Sequence, residues 1–533
     1  MKKMRSARYL LAALLVAGIA LIALQHSRAA DPQNVRQAAV AGGFYPSDPK
    51  ALIAMMDEML AHATPPPING PILAVIAPHA GYQYSGPVAA YTYAELKGRK
   101  FSRVVVIAPS HFEAFDFTSI FDGDAYATPL GTVPVDKTFA AQLAKMSPTI
   151  RLSSQGHTPP PGAEHAEHAL EVQLPWLQHV LGDFQLVPIV MGDQSYDNSR
   201  ALGVALAKMI QGSSDTLIVA SSDLSHYHTY DEAVAIDHKT LNALQAWDYF
   251  SMSENFEMRV WEACGGAPIV AAMIAAERMG ANQALLLKYA NSGDTTGDRS
   301  RVVGYSAWAL VKAQNQRAAE QPFSLGSHEK NELLALARKS VEYAVKEKKA
   351  YEPPAPSSES LNQERGAFVT LKESGELRGC VGYTAAMKPL YMTVRDTATL
   401  AALRDTRFQP VSASELGQLD YEISVLSPLR RVRDIHEIKV GETGLLMKNG
   451  IYQGLLLPQV PVEQKWDRPT FLEETCAKAG MQSNCWKDEN TDIFMFTAVV
   501  FGENRPQALT PEGPSAPGPP GRQGSQEPGL QPH

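Results

Sequence analysis

Cysteine is scarce. The 533 residues hold four, Cys264, Cys380, Cys476 and Cys485, far too few for a disulfide scaffold. Cys476 and Cys485 are the one close pair, so an oxidising compartment leaves a bridge between them open. Cys264 and Cys380 stand alone and each needs its own explanation. Clustered basic residues are also missing. A net charge of −8 without a Lys/Arg stripe argues against nucleic acid as a partner, because phosphate binding relies on such clusters. Beyond residue 30 no apolar run is long enough to span a bilayer, and no segment repeats.

What is present begins with Lys2, Lys3, Arg5 and Arg8, an apolar run from Leu10 to Leu24, and then Ser27-Arg28-Ala29-Ala30. That is the layout of a secretory signal peptide. The run falls short of the roughly 20 residues that span a bilayer, which favours cleavage over an anchor built on residues 10–24. No Cys follows it to take a lipid. Residues 1–30 are therefore expected to direct export, to the periplasm or outside the cell. Membrane contact is expected only if that segment stays attached.

The length exceeds what one hydrophobic core supports. Residues 31–315 alternate runs dense in Val, Ile and Leu (Leu73 to Ala77, Arg103 to Ala108, Phe184 to Val190, Thr216 to Ala220) with helical patterns at Asp48 to Ala63, Ala166 to Leu181 and Ser199 to Ile210. Such runs read as strands buried on both faces, which implies an α/β sheet with helices on both faces. A polar linker is expected at 316–329. A smaller α+β domain follows at 330–502, with a helix from His328 to about Lys349 and a hairpin turning at Asn449-Gly450. The segment 503–533, rich in Pro, Gly and Gln, is expected to be disordered.

Three apolar runs end alike. They lead into Pro78-His79-Ala80-Gly81-Tyr82, Pro109-Ser110-His111, and Ser221-Ser222-Asp223-Leu224-Ser225-His226. Open α/β sheets bind ligands beyond the carboxyl ends of their strands, so these polar groups should converge. Two imidazoles with one further ligand and open positions suit a catalytic transition metal. Spacing leaves the third ligand open among Asp223, Glu171 and Cys264. His226 is the expected general acid or base, since imidazole titrates near neutrality, and Asp223 would orient it or a bound water. Tyr82, His168 and Glu171 are candidates to touch substrate, although Glu167 and Glu171 also fit a solvated helix face and Tyr82 fits packing.

These motifs, together with Glu167-His168-Ala169-Leu170-Glu171-Val172-Gln173-Leu174-Pro175 and Cys264-Gly265, occur in the order seen in Memo-like proteins, which include AmmeMemoRadiSam system protein B. The resemblance implies a fold similar to class III extradiol dioxygenases, and metal-site positions at His79, His111 and Cys264 with Asp223 and His226 nearby. A thiolate in place of a carboxylate is softer, so fold likeness does not carry the reaction over. The metal expected is a divalent transition ion, iron or copper ahead of zinc.

In the second domain, Leu377-Arg378-Gly379-Cys380-Val381-Gly382 suggests either a thiol activated by a neighbouring Arg or a bulged strand with a buried Cys. This segment, with Asp405-Thr406-Arg407-Phe408-Gln409-Pro410 and Leu455-Leu456-Leu457-Pro458-Gln459-Val460, resembles the AMMECR domain, AmmeMemoRadiSam system protein A. That resemblance implies an α+β fold with two subdomains. It makes Arg378, Cys380, Asp405 and Arg407 a candidate surface site. It also suggests a radical SAM partner, which export speaks against. The function expected is metal-dependent redox or dioxygenase-like chemistry on a small molecule; the alternative is a non-catalytic metal-binding or scaffold protein.

Overall fold

The computed structural model describes residues 34–159, 162, 165–313 and 323–503. The export segment 1–30, residues 316–322 of the expected linker and the tail from 504 onward lie outside the described residues. Among the described residues no helix is long and apolar enough to cross a membrane.

The apolar runs become the strands Ile72–Ala77, Arg103–Pro109, Gln185–Met191 and Thr216–Ser221. They lie parallel in the spatial order 72–77, 216–221, 103–109, 185–191. Their side chains alternate between two cores, as the two-residue strand period requires. Val105, Ile107 and Ile218 face one core with the helices Tyr196–Ile210 and Gly266–Arg278. Val104, Val106 and Leu217 face the other with Pro49–His62 and Tyr82–Leu96. Helices therefore cover both faces. The sheet as a whole is mixed, because Val302–Val311 and Thr118–Phe121 join it antiparallel.

Three local expectations need correction. The helix expected from Ala166 starts at Gln173. Before it, the Glu167 carboxylate accepts from the backbone N–H groups of His168 and Ala169, a local bonding pattern that competes with helix. The helix Ser327–Glu347 starts within one residue of the expected His328, so it, rather than linker, occupies 327–329. In the hairpin, Asn449 pairs with Tyr452, so the two-residue turn is Gly450-Ile451, one position later than expected. Gly450 takes the positive φ of 56° there, as a glycine-first turn allows.

The second domain is an antiparallel sheet ordered 376–383, 367–373, 419–426, 492–502, 443–449, 452–456. Its long strand Asp492–Gly502 serves two cores. One packs on the helices Ser327–Glu347 and Leu390–Leu403, the other on Arg468–Lys478. Cys476 and Cys485 form a disulfide beside the latter.

The domains share buried surface. Leu446, Phe494 and Phe496 of the second join the core around Tyr249 and Phe250 of the first. Asp492, 3% exposed, accepts from Tyr196 Oη at 2.9 Å, from Arg200 Nη2 at 3.2 Å and from Arg278 Nη2 at 2.9 Å. Glu277 of the first domain accepts from Arg431 Nε at 2.8 Å.

Candidate metal centre

Parallel strands deliver their carboxyl ends to one edge, so His79, His111 and Asp223 arrive together. Cys264 comes from the turn ahead of the helix Gly266–Arg278. Gly265 makes that approach feasible, since a Cβ there would lie 2.2 Å from the carbonyl oxygen of Ser221. Cys264 Sγ is 3.0 Å from His79 Nε2 and accepts from the Asp223 N–H at 3.2 Å.

Hydrogen-bond accounting fixes which imidazole nitrogens are bare. Ser221 Oγ donates its one proton to the Ala169 carbonyl at 2.6 Å and accepts from Gln173 Nε2 at 2.7 Å. Toward His79 Nδ1, 2.9 Å away, it can only accept. His79 therefore carries its proton on Nδ1 and bares Nε2. His226 Nδ1 faces the Leu224 carbonyl at 2.8 Å, an acceptor, with the same result. His111 Nδ1 donates to Glu167 Oε1 at 3.0 Å. All three rings are held by Nδ1 and offer Nε2, which is how outer partners orient imidazole ligands.

Charge reinforces this. Burial, and then the neighbouring His111, hold His79 well below the usual imidazole pKa, so it is neutral at pH 7. His168 is pushed down to about 4 by burial and His79. For His111, burial is outweighed by the Glu167 carboxylate, and its pKa rises. Glu167 itself falls to about 2 because hydrogen bonds from His111 and the backbone overcome its burial. Burial, then the Asp223 charge, push the Cys264 thiol well above its ordinary value. Burial also raises Asp223.

Donor atoms mutually within 4.8 Å form two groups, His79-His111-His168 and His79-Asp223-Cys264. The residues His79, His111 and Cys264, expected as one ligand set, are thus divided between two groups that share His79. His168 lines the cavity and is also a donor, stacked on His111 with ring centroids 4.9 Å apart. Asp223 bonds the His79 backbone N–H at 2.7 Å; it does not hold His226, whose own backbone N–H faces Glu262. Of these donors, His79, His111, His168 and Asp223 line a cavity of about 690 Å³.

Two expected substrate contacts lie elsewhere. Tyr82 is buried, its hydroxyl donates to the Val172 carbonyl at 2.7 Å, and Tyr84 takes its place at the cavity. Glu171 is fully buried. It pairs with Arg36 and accepts from Val40 N at 3.0 Å and Tyr45 Oη at 2.5 Å. This partner set, more than 120 residues away in sequence, leaves no local signal. Arg36 also donates to the Glu167 carbonyl at 2.5 Å, pinning the loop that carries Glu167 and His168.

Glu167 is the residue that the helical reading missed. Replacing Glu167 by Gln should lower the His111 pKa in an NMR titration. It should also weaken metal binding about 10–100-fold, the scale of losing an outer-shell partner. An unchanged His111 titration would contradict this arrangement.

In the second domain Cys380, Asp405 and Arg407 do cluster. Asp405 Oδ2 accepts from the Cys380 N–H at 2.8 Å, and Arg407 Nη2 donates to the Cys380 carbonyl at 3.2 Å. Arg378 turns away to Glu415. Burial raises the Cys380 thiol against the opposing Thr370 hydrogen bond and Arg407 charge, and Cys380 lies half-buried in the strand Glu376–Tyr383.

Residues 36–309 match the family described as Memo-like protein, and residues 334–501 match AMMECR1. The chain is 37% identical over 282 residues to the MEMO1 family protein MK0963 of Methanopyrus kandleri, covering 51% of this chain and 97% of that one. It is 38% identical over 280 residues to MTH_45 of Methanothermobacter thermautotrophicus, covering 51% and 99%. Among solved structures it matches the uncharacterized protein PH0010 from Pyrococcus horikoshii at 41% identity, covering 33% of this chain and 92% of that one, with a TM-score of 0.32.

Proposed function

Because the chain belongs to the Memo-like family, with an AMMECR1 domain fused behind it, we propose that it is an exported metal-dependent redox protein acting on a small molecule, related in chemistry to extradiol dioxygenases. The observation that carries this reading is the set of three imidazoles, each held at Nδ1 and bare at Nε2, beside a thiol. The donor set fits a transition metal: neutral nitrogens with a soft sulfur suit copper or iron, and accept zinc. His79, His111 and Cys264 would hold it, with His168 and Asp223 as the neighbouring donors. A bound ion of this kind supplies Lewis acidity or an electron-transfer couple. His226 Nε2, which lines the cavity, accepts or returns a proton of the substrate. The AMMECR1 domain contributes through the shared core rather than through Cys380.

Metal uptake should depend on pH with a defined sign. The Cys264 thiol is protonated at neutral pH, and its proton must leave for sulfur to bind. Affinity should therefore rise about tenfold per pH unit near neutrality. It should steepen below the raised His111 pKa, where a second proton leaves. Cys264→Ser should remove the thiol proton's share of the slope. Equilibrium dialysis of copper, iron and zinc against the full chain checks this, and oxygen uptake with catechols tests the redox half. Metal binding without turnover would favour a binder over an enzyme. Failure to bind any of the three ions would end both readings.

A further inference from the structure

The cavity has an outer end as well as a metal-type floor. Tyr84, Phe112 and Tyr227 are 39%, 48% and 62% exposed, and all three line its mouth. Only Tyr343 and Tyr452 are comparably exposed aromatics elsewhere among the described residues. Exposed apolar rings gathered at one concavity mark a binding surface.

The mouth is also built with backbone strain. Tyr227 has a φ of 65°, uncommon for a bulky residue. It sits where the pairing of His226 and His228 with the strand Val302–Val311 shifts register. A bulge of this kind re-aims side chains near a site. Here it sets the Tyr227 ring 5.0 Å from the Arg301 guanidinium, and Arg301 lines the same mouth. The acidic residue nearby, Asp298, spends Oδ1 on Ser300 N at 2.9 Å and Ser300 Oγ at 2.7 Å.

We propose that this mouth binds a planar aromatic acid: its carboxylate on Arg301, its ring among Tyr84, Phe112 and Tyr227, and its far edge toward His79, His111 and His226. A guanidinium presents two parallel donors that match a carboxylate. With Arg301 as its one Lys or Arg among the described residues and Asp298 also in its lining, the mouth suits a monoanionic carboxylate better than a phosphate dianion. The carboxylate therefore sits at the Arg301 end of the cavity. What the far edge meets rests on the metal reading above; the Arg301 contact does not.

The test uses the metal-stripped full chain, titrated calorimetrically with benzoate and with its neutral isostere benzamide. Benzoate should bind about tenfold tighter or more, the scale of one charge-assisted hydrogen bond. Arg301→Gln should erase that preference and Arg301→Lys should restore part of it. Arg299→Gln, which removes a neighbouring cation stacked instead on Tyr230, should leave the preference intact. Equal binding of the two probes, binding of neither, or a preference that survives Arg301→Gln would overturn the proposal. Zinc binding to the Arg301→Gln protein is measured in parallel and should match wild type. Loss of zinc binding in wild type alongside an intact benzoate preference would sink the metal reading alone.

Discussion

Replacing Asp492 by Ala should destabilise the whole chain by about 3–5 kcal/mol, the cost of breaking a buried ion pair from one side. Its carboxylate is 3% exposed and answers two guanidiniums and a phenol of the other domain. Without it, Arg200 and Arg278 keep their positive charge in a largely dehydrated junction. Burying an unpaired charge is far costlier than losing a surface pair. The Lys208–Glu489 pair crosses the same junction at 2.8 Å but lies in solvent, so Glu489→Ala should leave the melting midpoint unchanged. Denaturant unfolding followed by a probe in each domain makes the comparison. In wild type the two probes should report one transition, because the core around Phe250 and Phe494 spans both domains. In Asp492→Ala they should separate or shift together to lower denaturant. A midpoint equal to wild type would show that the ion cluster does not hold the domains together.

Replacing His79 by Ala should abolish metal binding, and no other single substitution in the site should match it. His79 is the member common to both donor groups, so its loss dismantles either one. Asp223→Asn and His168→Ala each remove a donor from one group only, and should reduce affinity less. His111→Ala and Cys264→Ser should fall between, because each removes a proposed ligand and leaves His79 in place. A surface histidine supplies the control: His179, paired with Asp57, should be dispensable. Dialysis against zinc, followed by elemental analysis, reads the series directly. Retention of a full equivalent by His79→Ala would contradict the assignment.

How much of this was legible in the sequence follows from where each signal resides. The runs at Leu73 and Arg103 have few readings other than doubly buried strands, and their carboxyl ends locate His79 and His111 without further information. His226 and Asp223 followed from the same grammar. The turn at Glu167 did not, because its spacing mimics a helix until the carboxylate is seen to capture two backbone N–H groups. Glu171 belongs to Arg36, a pairing between residues 135 apart that no local pattern displays. Tyr82 and Tyr84 sit two positions apart in one helix, hence on different faces, and sequence alone gave no way to tell which faced the cavity. Arg301 and Tyr227 were missed because a bulge, a property of pairing, brings them together. The junction at Asp492 was invisible for the same reason: its partners lie in another domain.

X-ray absorption at the zinc edge of the zinc-loaded chain tests the ligand assignment most directly. Two imidazoles and one thiolate predict nitrogen scatterers at about 2.0–2.1 Å with one sulfur at about 2.3 Å, and that sulfur shell should vanish in Cys264→Ser. A shell of light atoms alone in wild type, or a sulfur that persists without Cys264, would contradict it.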